Sequence, residues 1–531
     1  MIRKEVFGLI QKETFSLSDL LKQIPVKVVS GQISPLVRIN GIAFDSRTVE
    51  PGNLFVALVG ENSDGHRFID AAVERGAVAI LGMRADVHCE APYLQVDDTR
   101  SALAHLSAAL QGFPARQLTV IGVTGTDGKT TTSNLIYQIL IAAGIRAGMI
   151  STVNAVIGDQ VVDTGFHVTT PEAPDVQRYL RQMVDAGLTH VVLETTSHGL
   201  IQHRVTGCEY DIAVVTNVTH EHLDYHRTYE NYLAAKGRLF EMLSETVEKP
   251  AGNIRLGVLN RDDRSFDYLN GLPIPRRSTY SLSQGADLYA EGVRHSPAGL
   301  EFIAVGREFK VPVACRLVGN FNISNCLAAL SATVLGLGID PQTAARGIAA
   351  LPGVPGRMEI IDLGQNFTAI VDFAHTPNGL TRALETARDL TAKRVIAVFG
   401  SAGLRDRQKR HMMAEISAQM ADISILTAED PRTESLDGIL AEMGAAATAR
   451  GGAEGKTFYR IPDRGEAIRM AVNLAQPGDL VIACGKGHEQ SMCFGTQEYA
   501  WDDRTAMRAA LAERLRIAGP EMPFLPTRGK S

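Results

Sequence analysis

The sequence predicts an α/β protein of two to four domains, at least two of them on open, mostly parallel sheets. Three observations carry this. At 531 residues the chain exceeds what one hydrophobic core organises. Short apolar runs alternate with helical periodicity, among them "THVVLE", "DIAVVTN", "TAIVDFAH", "RVIAVFG", "ISILTAED" and "DLVIACGKG". Several of these runs lead into polar groups: Glu194, Asn217, His375, Arg405, and Lys486 with Glu489. An open parallel sheet collects its ligand groups at that carboxyl edge, and two facing edges enclose a cleft.

In chain order, residues 1 to about 115 mix short strands with helical segments such as "FIDAAVERGAVAIL". A long middle section runs to the Gly/Pro-rich "LPGVPGR" at 351–357, a natural boundary. The remainder alternates strands and helices, with no internal repeat or low-complexity block.

A hydrophobic content of 45% beside 21% charged residues fits a soluble globular protein. Net charge −6 and pI near 6.2 supply no reason to expect nucleic-acid or membrane partners, so anions must be held by local cations. The six cysteines are scattered without a CxxC pair, as free thiols of a reducing cytosol would be. No apolar run reaches spanning length, and "MIRKEVFGLIQKETF" carries charge through any signal core, so a cytoplasmic protein is expected.

The stretch "LTVIGVTGTDGKTTTSNLIYQIL" (118–140) predicts a strand over 118–123 and a helix from Thr131. Between them stand Gly125, Thr126, Asp127, Gly128, Lys129 and Thr130. Val123 occupies the place of the first glycine in the longer, common phosphate loop. A glycine turn opening a helix presents backbone N–H groups and the positive dipole end to phosphate. Lys129 is placed for β/γ-phosphate charge and the Thr130 hydroxyl for Mg²⁺. A plain tight turn with an exposed lysine is the alternative; strand, glycines, Lys-Thr and helix in register favour a nucleotide.

Glu194 follows a buried strand, and "NVTHEHLDYH" supplies His222, Asp224 and His226. Carboxylate and imidazole suit a divalent cation beside phosphates. By residue type alone, Glu194 serves equally as a helix cap, and the histidines as surface or core groups.

The shorter loop, with "LETTSHGL", "NVTHEHLDYH" and "LAAKGRLF", resembles the Mur ligases, cytoplasmic ATP-dependent amide ligases of peptidoglycan synthesis. The resemblance runs from "FDSRTVEPGNLFVAL" (44–58) to "WDDRTAMRAAL" (501–511). "TTPEAP", "SHGLIQHR", "GNFNISN", "VPGRME", "DFAHTPNGL" and "GKGHE" point to the MurE branch, which adds the third stem-peptide residue to UDP-N-acetylmuramoyl-L-alanyl-D-glutamate. Three domains are then implied: a uridine-nucleotide domain at 1–115, a central ATPase domain at 116–351 and a Rossmann-like, amino-acid-receiving domain at 352–531. A monomer taking only small-molecule substrates is expected.

The resemblance also implies site residues. Gly125, Thr126, Asp127, Gly128, Lys129, Thr130 and Thr131 would hold ATP phosphates, and Asn325 and Arg357 the rest of the nucleotide. Thr130, Glu194 and His222 match Mg²⁺-site positions, and Lys236 in "AAKGRLF" matches a lysine carbamylated by CO₂. An ammonium cannot ligate Mg²⁺, whereas its CO₂ adduct is an anion; unmodified, Lys236 would read as a solvated helix lysine. Asp45, Ser46 and Arg47 lie in the uridine signature. Thr169, Thr170, Thr196, Gln202 and Arg204 match positions contacting the muramoyl dipeptide, Thr196 standing where serine is usual.

Departures are Asp127 for a frequent asparagine, Glu221 for aspartate, and "GSAGLRDR" for a more glycine-rich form that keeps Arg405. For the incoming amino acid, Glu429-Asp430-Pro431-Arg432 stands where diaminopimelate-adding enzymes carry Asp-Asn-Pro-Arg. Arg432 would grip a distal carboxylate and Glu489 an ammonium, with Arg405 and Gly485 beside them. Asp430 either repels that carboxylate or occupies Arg432, favouring lysine or ornithine, or is a solvent-facing turn residue. Arg432, Arg405 and Glu489 together favour meso-diaminopimelate. The rivals are a folylpolyglutamate-synthetase-like or D-alanyl-D-alanine-adding ligase, and a phosphate-loop switch that ligates nothing.

Overall fold

The computed structural model describes residues 14–60, 63–162, 170–219, 223–296 and 299–528. The charged N-terminal stretch therefore lies mostly outside the described residues, as do Thr169 and His222.

The first sheet runs Val28–Ser30, Tyr93–Val96, Ala79–Gly82, Asn53–Val56, Gly41–Ala43, parallel except for its first pair. The segment "FIDAAVERGAVAIL" divides into the helix Ile69–Glu74 and the strand Ala79–Gly82.

In the central sheet the strand Thr119–Thr124 lies between His190–Glu194 and Ile212–Val215, parallel to both. It reads as an unbroken apolar run because both faces are covered. Ile121 and Val123 pack with Leu135, Ile136 and Ile139 of the helix Lys129–Ala142. Val120 packs on the other side with Leu180 of Ala173–Asp185 and Phe240 of Tyr229–Glu245. The sheet then extends through Leu288–Ser296, Gly299–Gly306 and Lys310–Cys315, an antiparallel addition that the helix-alternating pattern does not predict. Lys310–Cys315 alternates exposed and buried residues, as a strand with one wet face does.

The third sheet runs Glu359–Ile360, Thr368–Asp372, Leu480–Cys484, Val395–Phe399, Ile423–Leu426, Phe458–Arg460, parallel apart from the first. Leu480–Cys484 returns late in the chain between two strands formed earlier. The carboxyl ends of three neighbouring strands, which carry the segments starting at Gly400, Thr427 and Gly485, therefore meet at one edge. Among the described residues, no helix is long and apolar enough to cross a membrane.

Candidate active site

The carboxyl edge of the central sheet faces residues of the third unit across a cavity of about 480 Å³. Lys129, Glu194 and Asn325 line one side of it, and Arg357, Asp372 and Arg382 the other.

The phosphate loop is held by the neighbouring strand end. Thr126 N–H donates to the Asn217 carbonyl (2.7 Å) and Asp127 N–H to Asn217 Oδ1 (3.0 Å). Thr216 Oγ1 donates back to the Asp127 carbonyl (2.6 Å). Asn217 is thus a loop-shaping residue that the sequence marked only as a strand end. Gly128 has φ +81, and a Cβ there would stand 2.4 Å from Asn325 Oδ1. Only glycine lets Asn325 approach the helix start so closely. The helix begins at Lys129, two residues earlier than its periodicity predicts, so Lys129, Thr130 and Thr131 form its first turn. Lys129 Nζ lies back on the loop, donating to the carbonyls of Gly125 (3.1 Å) and Thr126 (2.8 Å).

Glu194 ends its strand opposite Val123 and is 1% exposed. Its carboxylate accepts from Thr130 Oγ1 (3.0 and 3.1 Å) and Thr152 N–H (3.0 Å). It does not cap the following helix; Thr196 Oγ1 does, accepting from Gly199 N–H at 3.0 Å. Thr130 and Glu194 supply hard oxygen donors beside a phosphate site, which suits Mg²⁺, an ion that keeps waters and takes one or two carboxylates plus phosphate oxygens. Among the described residues, no group of three or more His, Cys, Asp or Glu surrounds a common point. His226 is a core group, its Nε2 3.0 Å from Ser197 Oγ.

Lys236 is 1% exposed, so the solvated-lysine alternative is overturned. It projects from Tyr229–Glu245 beneath the loop, and its Nζ donates to the Gly125 carbonyl at 2.7 Å. A carbamate keeps one N–H on that nitrogen, so this bond is compatible with carbamylation.

Four of the dipeptide-position residues come together. Thr170 Oγ1 donates to the Glu194 carbonyl (3.1 Å) and lies 3.1 Å from Thr196 Oγ1. Arg204 donates to the Thr170 carbonyl (2.9 Å) and to Gln202 Oε1 (2.8 Å), and pairs with Glu172 (2.8 Å). Glu172 also lines a second cavity of about 610 Å³, with Ser46, Arg47 and Arg100. There Asp45 holds Arg47 through a two-point ion pair, Nε to Oδ1 at 3.0 Å and Nη2 to Oδ2 at 2.6 Å.

The third unit reaches the phosphate loop directly. Arg357 Nη2 lies 3.4 Å from Thr130 Oγ1, its guanidinium 4.2 Å from the Phe373 ring centroid. Asn378 Nδ2 donates to Asp127 Oδ2 at 3.0 Å, a contact hidden in the sequence by a separation of 251 residues. Gly356, with φ +63, backs onto the Gly487–His488 segment so closely that a Cβ would lie 2.2 Å from His488 N. Phe373 in turn touches the His488 ring, centroids 5.0 Å apart.

Around the Glu429–Arg432 segment the structure corrects the alternatives for Asp430. It is 7% exposed, not solvent-facing, and it engages Lys486 rather than Arg432. Both carboxylate oxygens lie 3.1 Å from Lys486 Nζ, and Oδ1 also accepts Cys493 N–H at 2.9 Å. Glu489 already takes an ammonium, that of Lys486, at 2.5 Å. Burial opposes the Lys486 charge, but Glu489 and Asp430 outweigh it and raise its pKa above the usual lysine value. Asp430 and Arg432 have φ 43 and 54 on either side of Pro431, a left-handed pairing that Asp tolerates and arginine rarely adopts. The backbone of Arg432 is pinned to the strand Ser491–Phe494, its N–H on the Cys493 carbonyl at 3.1 Å. Arg405 lies exposed on the loop after Val395–Phe399.

Arg464, fully buried, fixes these segments from behind. It donates to the carbonyls of Ala428 (3.2 Å) and Cys484 (2.8 Å) and pairs with Asp503 at 2.6 Å. Neither Arg464 nor Asp503 is singled out by the sequence reading.

Three family descriptions match the chain in order: "Mur ligase family, catalytic domain" over 38–111, "Mur ligase middle domain" over 123–333, and "Mur ligase, glutamate ligase domain" over 356–487. A UDP-N-acetylmuramyl-tripeptide synthetase of Roseiflexus sp. (strain RS-1) is 43% identical, covering 94% of this chain and 99% of its own. A UDP-N-acetylmuramoyl-L-alanyl-D-glutamate–2,6-diaminopimelate ligase of Geobacillus thermodenitrificans (strain NG80-2) is 42% identical over the same shares. A solved structure of a ligase with that second name superposes with TM-score 0.65 at 32% identity, covering 95% of this chain and 100% of that one. The MurF ligase of Thermotoga maritima in complex with ADP shares the fold at TM-score 0.57 and 20% identity, over 83% of this chain and 93% of its own. With relatives this similar along nearly their full length, the chain belongs to the Mur ligase family.

Proposed function

We propose that this chain is an ATP-dependent ligase that adds meso-diaminopimelate to UDP-N-acetylmuramoyl-L-alanyl-D-glutamate through an acyl phosphate. The observation that carries the reading is the seam between the two units: Arg357 reaches Thr130, and Gly356 backs onto the loop carrying Glu489. A nucleotide on the phosphate loop and an amino acid on the third unit would thus meet at one place.

The roles follow the chemistry. Oxide is a poor leaving group, so the D-glutamate side-chain carboxylate attacks the γ-phosphorus and ADP departs. The incoming amine then attacks the acyl carbon and phosphate leaves. The first turn after Gly128 offers N–H groups to the phosphates, and Lys129 turns from its own loop carbonyls to their charge. Asn325 and Arg357 hold the remainder of the nucleotide. Thr130, Glu194, His222 and a carbamylated Lys236 would hold Mg²⁺, which neutralises phosphate oxygens when bound. The uridine nucleotide lies against Ser46 and Arg47, and the dipeptide along Thr169, Thr170, Thr196, Gln202 and Arg204. Arg405, Arg432, Gly485 and Glu489 receive the amino acid, with Asp430 and Pro431 shaping the turn. Enclosure between the units keeps water from the acyl phosphate. The setting is the cytoplasm, where ATP is present.

Diaminopimelate is preferred because Asp430 spends its charge on Lys486, which leaves Arg432 for a distal carboxylate. The test is phosphate release by the purified chain with Mg·ATP. Release that requires both the UDP-dipeptide and diaminopimelate, with a UDP-tripeptide mass, is expected. Release without an amino acid would overturn the reading in favour of a non-ligating ATPase.

A further inference from the structure

We propose that Lys486 decides which diamino acid is joined, by cancelling the charge of a buried Asp430 within an Asp430–Lys486–Glu489 trio. This rests on the ligase reading above and adds to it a residue that sets specificity.

The trio sits behind the turn that carries Arg432. Lys486 is 1% exposed and lies 3.1 Å from both oxygens of Asp430 and 2.5 Å from Glu489. Cys493 ties it to the candidate amino-acid site, since its N–H donates to Asp430 and its carbonyl accepts from Arg432. Two carboxylates against one ammonium leave the trio at −1, with Asp430 two residues along the turn from Arg432, whose guanidinium must attract a carboxylate. Behind it stands Glu429, buried, on which Lys409, Arg464 and the trio's own Lys486 act as cations and Asp430 as an anion; it is common to every variant compared below.

A diamino acid with a distal carboxylate is zwitterionic at that end, whereas lysine and ornithine end in an ammonium alone. Without Lys486 the pocket would carry −2 and favour the plain ammonium. With Lys486 present but Asp430 uncharged, the trio would be neutral and Arg432 would act unopposed. Each change moves one full charge within a buried site, where the effective dielectric makes such a step worth on the order of tenfold or more. Lys486 therefore suppresses lysine and ornithine, and Asp430 moderates that suppression.

The test competes equal concentrations of meso-diaminopimelate, lysine and ornithine at pH 8 and weighs the UDP-tripeptide products. Lys486→Gln is expected to shift the ratio toward lysine and ornithine by roughly tenfold, about 1.4 kcal/mol. Asp430→Asn, which keeps shape, is expected to shift it the other way, and the double variant to return near the wild-type ratio. If Lys486→Gln does not fold, the Asp430→Asn shift decides alone. Unchanged ratios in variants that still ligate would overturn the proposal. A wild-type chain that ligates none of the three amino acids would instead overturn the ligase reading.

Discussion

The two halves of the candidate site are built from opposite materials. The phosphate loop is shaped mostly by neutral amides and hydroxyls, Asn217, Thr216 and the loop's own carbonyls, with one buried carboxylate at Glu194 and one buried lysine, Lys236, against it. The amino-acid side is shaped by buried charge, in the pairs Asp430–Lys486, Lys486–Glu489 and Arg464–Asp503. A region that binds a phosphate chain needs donors at fixed spacing, which backbone geometry supplies. A region that must distinguish an ammonium from an ammonium plus a carboxylate needs a charge balance. Buried ion pairs contribute little to stability, and such a balance is a reason for them to be there.

The largest break in this comparison comes from removing the one loop cation. Lys129→Ala is expected to abolish ligation, by about 10³-fold or more, since its ammonium is the mobile charge for the phosphates. Folding should survive within about 1 kcal/mol, because Nζ bonds only carbonyls of its own turn. Wild-type turnover in the purified variant would remove the loop from the mechanism.

Lys236 is nearly as sharp a test, because its proposed role needs an anion on a lysine stem. Lys236→Ala should lose about 10²-fold or more, and short carboxylic acids should restore part of it by taking the carbamate's place. A buried lysine serving only the Gly125 carbonyl would show no such rescue. An unmodified Lys236 mass in the active, Mg·ATP-bound enzyme would also count against the role.

On the charged side, Arg432→Ala should weaken use of diaminopimelate by about 2–5 kcal/mol, the cost of an unpaired charged partner. Lysine and ornithine, lacking the distal carboxylate, should lose far less. Equal losses for all three would mean that Arg432 acts through the turn, where its backbone is already pinned to Cys493.

This contrast also explains what the sequence discloses. Strand, glycine turn and helix at 119–142 are local, so periodicity and spacing place them within two residues. The strands ending at Glu194, Val215, Asp372 and Cys484 are equally legible, because runs buried on both faces have no polar interruptions. The antiparallel strands over 288–315 escape the reading, since their one-sided burial gives a weaker alternation. The charge pairs are illegible for another reason. Asp430 and Lys486 lie 56 residues apart, Asp127 and Asn378 251 apart, and no spacing rule links them. Asp430 looked like a turn residue with an awkward charge until its partner was in view.

The smallest effect concerns pH, and it separates two groups of the charged half. Burial, helped by Arg357, Arg504 and Lys486, depresses the His488 imidazole to about 3, against 6.5 ordinarily. The unfolded chain takes that proton first. His488 therefore contributes stability that is fully present above 6.5 and is lost as pH falls toward 3, by at most about 1.4 kcal/mol per unit. Glu429 runs the other way. Burial pushes its carboxyl up to about 6 from 4.5, so its contribution is present below 4.5 and is lost as pH rises through 6. Between 4.5 and 6 the two slopes oppose each other and largely cancel. Relative to the wild type, Glu429→Gln should gain stability as pH rises, and should be the more stable protein at pH 8 by up to about 2 kcal/mol. His488→Gln should lose stability relative to the wild type over the same rise in pH. Since every other group titrates alike in the three proteins, the differences between their curves isolate these two. Three parallel curves from pH 4 to 8 would mean that neither group is buried in the form that melts.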